Sequence, residues 1–230
     1  MIILSEKYTS IDATWAQRDI IKNEKKIDAC PDFISVLKML NGIFLGRGVS
    51  FTDEERYGHD WLYGEVGIQL SGIYEDGSIF IVLDRDNLLD HLKDHYQFLE
   101  FARYVRVILS HELLHRQQLH HIPYEFQTER EYDTGKNSDY LRNPREIDAH
   151  AQEAIQDFVS MGYTKKDILS WLPSYAAMKD HAVESKAAWK YWDYYGLYSD
   201  DREDGVWRRF LTRMYDFAKR LPDKAEKRPL

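Results

Sequence analysis

Residues 110–115 read Ser-His-Glu-Leu-Leu-His, and this stretch determines how the rest of the chain is interpreted. If residues 97–119 form one helix, His111 and His115 are one turn apart and point in the same direction. Two imidazoles in that arrangement can bind one Zn2+ ion, whereas Glu112 lies too far around the helix to join them as a third ligand. Glu112 can still reach a water on the open side of the metal. The motif therefore indicates two metal ligands and a general base.

The segment that leads into this motif is apolar or aromatic almost all the way around. Such a helix is typically buried, and a buried glutamate between two histidines requires polar partners or a metal ion. We therefore interpret the motif as a site and not as part of an ordinary helical core. The residues of the leading segment are Phe98, Leu99, Phe101, Ala102, Tyr104, Val105, Val107, Ile108 and Leu109.

Composition excludes several classes of protein. A hydrophobic content of 43% is that of a folded chain, and 230 residues can bury one sizeable core. The net charge of −8 gives no electrostatic case for nucleic acid or an anionic membrane as partner. Cys30 is the single cysteine, which rules out an internal disulfide framework. Neither a signal peptide nor an apolar run of membrane-spanning length is found, so we expect a cytoplasmic protein.

Apolar periodicity, glycine, proline and capping residues predict a mainly helical chain with a small sheet. Residues 61–74 and 79–84 flank a strong turn and predict a β-hairpin, with a third strand near 49–51. Asn143 and Pro144 are typical of a helix start. The predicted helices span about 10–29, 32–45, 87–95, 97–120, 144–161, 164–172, 174–195 and 204–221.

A catalytic zinc site needs a third protein ligand, and the sequence offers three candidates. His121 stands where the metzincin pattern HExxHxxGxxH has its last histidine, but Gln118 replaces the glycine of that pattern. Glu146 would approach from a separate downstream helix. His150 lies one turn beyond Glu146 on the same face, so that either residue could be the ligand and the other its neighbour or an oxyanion donor.

The motif followed by a downstream Glu146-Ile147-Asp148-Ala149 resembles the gluzincin arrangement of zinc metallopeptidases. The sequence of residues 140–149 also resembles that of small single-domain HExxH proteins that are common in bacteria and their phages. Together the resemblance covers about residues 97–160. It implies that His111, His115 and Glu146 hold Zn2+ and that Glu112 acts as the base.

The resemblance also implies a fold. We expect an α+β, mainly helical, zincin-like core with the small sheet beside the motif helix and a helical C-terminal part. Residues 1–230 would form a single domain, with residues 163–221 as a helical C-terminal extension. Asp148 is expected to orient a ligand or to cap its helix locally.

The implied reaction is hydrolysis of a peptide bond in a protein or peptide substrate. An activated water attacks the carbonyl, and Glu112 passes its proton to the leaving amine. Tyr140, just before the Glu146 helix, is the predicted oxyanion donor. The alternatives are Tyr124, Tyr132, His120 and His150.

A second hypothesis comes from a different class of protein. It is a zincin-fold binding or regulatory protein in which zinc is structural or absent. The aromatic residues 191–195 would then form its interaction surface. An intact Glu112 favours catalysis, because a structural zinc site has no use for a base.

Overall fold

The computed structural model describes residues 13–53, 63–65, 68–75, 77–120, 142–192 and 205–223. Within these ranges the chain is mainly helical and has one small sheet, which confirms the mainly helical α+β class. The described residues form two compact units, one ending at Leu113 and one beginning at Leu114. None of the described helices is long and apolar enough to span a membrane.

The elements follow the predicted order along the chain. The helices are α1 (Thr14–Lys22), α2 (Glu24–Asp28), α3 (Phe33–Ile43), α4 (Arg85–Lys93), α5 (His95–His120), α6 (Pro144–Ser160), α7 (Lys165–Trp171), α8 (Tyr175–Ala182), α9 (Lys186–Tyr191) and α10 (Gly205–Arg220). The strands are β1 (Val49–Asp53), β2 (Tyr63–Glu65), β3 (Ile68–Glu75) and β4 (Ser78–Leu83).

Two of the predicted helices are wrong as single helices, because each is interrupted. Asn23 separates α1 from α2, and its side-chain amide donates to the Asp19 carbonyl at 2.8 Å. Such a local bond competes with the helical ladder. Ser185 has an extended backbone between α8 and α9, and its hydroxyl accepts from the Ala188 N–H, so it begins a new helix as an N-cap.

The sheet has the strand order β1-β4-β3-β2. The antiparallel pair β3 and β4 is the predicted hairpin, and Gly77 takes a positive φ of 80° in its turn. The prediction of one strand over residues 61–74 is wrong, because β2 and β3 pair with each other in antiparallel, with Tyr63 opposite Leu70. The predicted third strand is β1, which pairs with β4 in parallel, with Val49 opposite Ile79. The amide of Asn41 on α3 makes two hydrogen bonds with the Phe51 backbone, so a side chain covers part of this strand's outer edge.

In the unit that ends at Leu113, α3 and the sheet share one apolar core. Phe44, just after α3, packs edge-on against Phe51 of β1 with ring centroids 5.0 Å apart. The largest fully buried side chains of this core are Ile20, Ile27, Leu40, Phe44, Ile79, Phe98 and Phe101.

In the unit that begins at Leu114, α6 packs against α9 and α10. The rings of Tyr191 and Phe210 stack between these helices with centroids 4.3 Å apart. Gly162 has a φ of 94° directly after the end of α6, as the sequence predicts for a helix stop. The core includes Leu114, Ile147, Phe158, Tyr191, Trp192, Phe210 and Phe217.

Candidate metal centre

Helix α5 carries both motif histidines on its last turns. Asp94 starts the helix by accepting a hydrogen bond from the Gln97 N–H at 3.0 Å, and the helix then runs unbroken to His120. His111 and His115 are therefore one turn apart on one continuous helix, as predicted. His111 and Glu112 are both 6% exposed, and His115 is partly buried.

Helix α6 supplies the carboxylate. The Asn143 side chain accepts from the Arg145 N–H at 2.9 Å, and Pro144 is the first helical residue, which fixes where the helix starts. Glu146 consequently lies in the first turn of α6, where the helix dipole favours a negative charge. Its side chain is buried, and its Oε1 lies 3.4 Å from His115 Nε2.

His115 Nε2 and Glu146 Oε1 are donor atoms that face each other within the unit that begins at Leu114, and His111 lies one helical turn before His115 on α5. Donor atoms held at 2.0–2.2 Å around a tetrahedral ion are about 3.3–3.6 Å apart. The 3.4 Å between His115 and Glu146 therefore equals the separation of two ligands of one ion. Two imidazoles and one carboxylate also form a donor set that catalytic zinc sites use, so the residues fit a zinc ion.

A second group of possible donors lies further along α6. His150 Nδ1 is 2.7 Å from Glu153 Oε2, and the His150 ring contacts Tyr191 edge-on. A separation of 2.7 Å is that of a hydrogen bond and is shorter than the ligand spacing of a tetrahedral ion. We therefore interpret these two atoms as a hydrogen-bonded pair.

Gln118 contacts His115 and the backbone of Arg145, the residue before Glu146. Gln118 Oε1 is 3.1 Å from His115 Nδ1, and Gln118 Nε2 donates to the Arg145 carbonyl at 3.3 Å. The side chain is 1% exposed. Because α5 continues through Gln118 to His120, the turn that a glycine makes in the metzincin pattern does not occur at this position.

The interpretation of Asp148 as a ligand-orienting or local capping residue is wrong. Its two carboxylate oxygens accept from Arg213 Nε and Nη2 at 2.7 and 2.6 Å, and both side chains are buried. This bond joins α6 to α10. The contact cannot be inferred from sequence spacing, because Arg213 lies far along the chain on another helix.

Several predicted residues fall outside the described ranges. They are the predicted oxyanion donor Tyr140, its alternatives Tyr124 and Tyr132, and the alternative ligand His121. The sequence did not point to Glu153, and it pointed to Gln118 only as the residue that replaces the glycine of the metzincin pattern. Glu153 and Gln118 each follow a histidine by one helical turn, and this spacing was the available signal.

Comparison with known proteins adds no assignment. No family model, curated protein or solved structure matches this chain. The function is therefore inferred from the residues of the candidate centre.

Proposed function

We propose that this chain is a zinc-dependent metallopeptidase with a zincin-like core that hydrolyses peptide bonds of a protein or peptide substrate. In this proposal His111, His115 and Glu146 are the zinc ligands, and Glu112 is the general base. The observation that carries it is the 3.4 Å between His115 Nε2 and Glu146 Oε1, with His111 one turn before His115 on the same helix.

The proposed chemistry depends on one polar residue beside the ligands. A zinc ion in this position would polarise the substrate carbonyl and lower the pKa of a water towards about 7. Glu112 directly follows His111 on α5 and is largely shielded from solvent. It would accept a proton from the attacking water and return it to the leaving nitrogen.

The negative charge that develops on the carbonyl oxygen needs a hydrogen-bond donor. Tyr140 remains the proposed donor, and His150 is the alternative for which the described residues give support. His150 lies one turn beyond Glu146 on α6, and its hydrogen bond to Glu153 fixes the ring.

The setting of the enzyme is part of the proposal. The net charge of −8 favours a protein or peptide partner over nucleic acid, and one cysteine suits the reducing cytoplasm. We propose a cytoplasmic enzyme with no membrane partner on these grounds.

The test is peptide cleavage by zinc-loaded wild-type protein and by Glu112→Gln. A mixture of unstructured peptides read by mass spectrometry serves as substrate. We expect cleavage that a zinc chelator stops, and a loss of about a thousandfold in Glu112→Gln with unchanged zinc content. Glu100→Gln, an exposed glutamate on the same helix, is the matched control and should cleave like the wild type.

Two results would overturn this function. Equal cleavage by wild type and Glu112→Gln would remove Glu112 from the reaction. A wild-type chain that binds zinc but cleaves none of the peptides would favour the non-catalytic binding protein.

A further inference from the structure

We propose that Gln118 is the positioning residue of the metal centre. It selects the tautomer of His115 that directs an unprotonated Nε2 towards Glu146, and it holds the first turn of α6 in place. This inference rests on the zinc site proposed above. All four residues concerned, His115, Gln118, Arg145 and Glu146, belong to the unit that begins at Leu114.

The orientation of the Gln118 amide follows from its two contacts. The Arg145 carbonyl can only accept a hydrogen bond, so the atom 3.3 Å from it must be the amide nitrogen of Gln118. The amide oxygen then faces His115 Nδ1 at 3.1 Å. An amide oxygen also only accepts, so the hydrogen in this contact belongs to His115 Nδ1.

This hydrogen determines the other side of the ring. A neutral imidazole carries one N–H, so a hydrogen on Nδ1 leaves Nε2 with a lone pair. Nε2 is the atom that lies 3.4 Å from Glu146 Oε1. A hydrogen bond from Nδ1 to Gln118 therefore leaves on Nε2 of the neutral ring the lone pair that a metal ion needs.

The opposite tautomer would block metal binding. With a hydrogen on Nε2, His115 would donate directly to the Glu146 carboxylate, and this charge-assisted bond would occupy both ligand atoms. A metal ion would then have to displace that hydrogen in order to bind. Gln118 prevents this state by accepting the hydrogen on the far side of the ring.

The same side chain also fixes the carboxylate. Arg145 and Glu146 are consecutive, so the carbonyl that Gln118 holds belongs to the peptide group directly before Glu146. The Asn143 side chain holds the N–H of Arg145 from the other end. Glutamine can make both contacts, whereas glutamate could only accept from His115 and an apolar residue could contact neither partner through a hydrogen bond.

Three variants test the inference. Gln118→Met removes both hydrogen bonds while approximately keeping the buried volume. Gln118→Glu keeps the acceptor for His115 Nδ1 and loses the donor to Arg145. Gln117→Met replaces the neighbouring glutamine and is the control. Circular dichroism and thermal melting establish that each variant is folded.

The first readout needs no zinc. Nitrogen-15 NMR of the metal-free protein, at a pH above which the ring shifts of His115 no longer change, reports which nitrogen of His115 carries the hydrogen. We expect hydrogen on Nδ1 in the wild type, Gln117→Met and Gln118→Glu, and on Nε2 in Gln118→Met. Hydrogen on Nε2 in the wild type would overturn the inference.

The second readout is zinc affinity by competition with a coloured chelator. Loss of a residue that orients a ligand typically weakens metal binding 10- to 100-fold, and we expect this in Gln118→Met. Gln118→Glu should recover most of that loss. Wild-type affinity in a folded Gln118→Met would overturn the inference even where zinc binding itself is confirmed. No zinc binding by any variant would instead overturn the proposed site, while the NMR result would still decide the tautomer.

Discussion

Helix α6 carries two buried carboxylates two positions apart, Glu146 and Asp148, and they are in opposite situations. Asp148 is 4% exposed and accepts two hydrogen bonds from Arg213 at 2.6–2.7 Å. Glu146 is 2% exposed and faces His115 Nε2 at 3.4 Å, beyond the usual length of an N–H···O bond. The first is a closed ion pair, and the second has the spacing of two ligands around a cation.

This difference teaches that burial of an acidic residue does not by itself identify a functional site. Both carboxylates had to be compensated when they left water, and Asp148 is compensated by a guanidinium from α10. Glu146 is next to an imidazole whose other nitrogen is already held by Gln118. The residue type across the gap, and the distance to it, separate a structural pair from a metal site.

The largest expected effect is on zinc binding. Glu146→Gln removes the anionic ligand and should weaken zinc affinity at least about a thousandfold, roughly 4 kcal/mol. Asp148→Asn is the matched control and should bind zinc like the wild type per folded molecule. Competition titration measures both. Equal weakening in the two variants would mean that the distinction between the carboxylates is wrong.

The next effect is on the free energy of unfolding, for which we expect Asp148 to be the important carboxylate. Asp148→Asn takes from the buried Arg213 its closest carboxylate, leaving Asp216 at 3.7 Å, and should lower the free energy of unfolding by about 3 kcal/mol. Replacing both partners, Asp148→Leu with Arg213→Met, should recover most of this loss, because neither charge then remains buried. Urea unfolding of the three proteins measures it. A double variant as unstable as Asp148→Asn would contradict a closed structural pair.

A moderate effect is expected at the second donor group. Glu153→Gln should leave zinc affinity within about tenfold of the wild type, because Glu153 is hydrogen-bonded to His150 and is not a ligand in the proposed site. Cleavage should fall more than affinity if His150 is the oxyanion donor. Zinc lost from Glu153→Gln but kept by Glu146→Gln would move the metal to the second group.

The smallest effect concerns a half-buried carboxylate, Asp167, at the start of α7. Its reciprocal capping box with Thr164 lowers the pKa of Asp167, mainly through the hydrogen bond from the Thr164 side chain. A carboxylate whose pKa is lower in the folded chain stabilises the fold at pH values above its pKa in the unfolded chain. This stabilisation is lost as the pH falls through the pKa of the folded chain. Thr164→Ala should therefore cost about 1 kcal/mol near neutral pH and less in acid. Equal cost at both pH values, measured by urea unfolding, would contradict this account.

Local signals in the sequence predicted much of the fold. The extent of α5, the start of α6 at Asn143 and Pro144, and its end at Gly162 each depend on residues within one turn. The hairpin and its glycine turn follow for the same reason. The interruptions at Asn23 and Ser185 could not be predicted as easily, because asparagine and serine only end a helix when the surrounding chain allows it.

The candidate centre was only partly accessible from the sequence. The spacing of His111 and His115 predicts a shared direction, and the structure has both on one helix face. The approach of Glu146 to His115 depends on how α6 packs, which no local pattern specifies. The pairing of Asp148 with Arg213 and the bridging role of Gln118 likewise require contacts between segments that are distant in the chain.

The most direct test of the central claim is an anomalous-difference map at the zinc absorption edge, from crystals of the chain grown with zinc. The account predicts one strong peak, about 2.0–2.2 Å from a nitrogen of His111, His115 Nε2 and a Glu146 oxygen. A peak bonded to His150 and Glu153 instead, or no peak at either group, would contradict it.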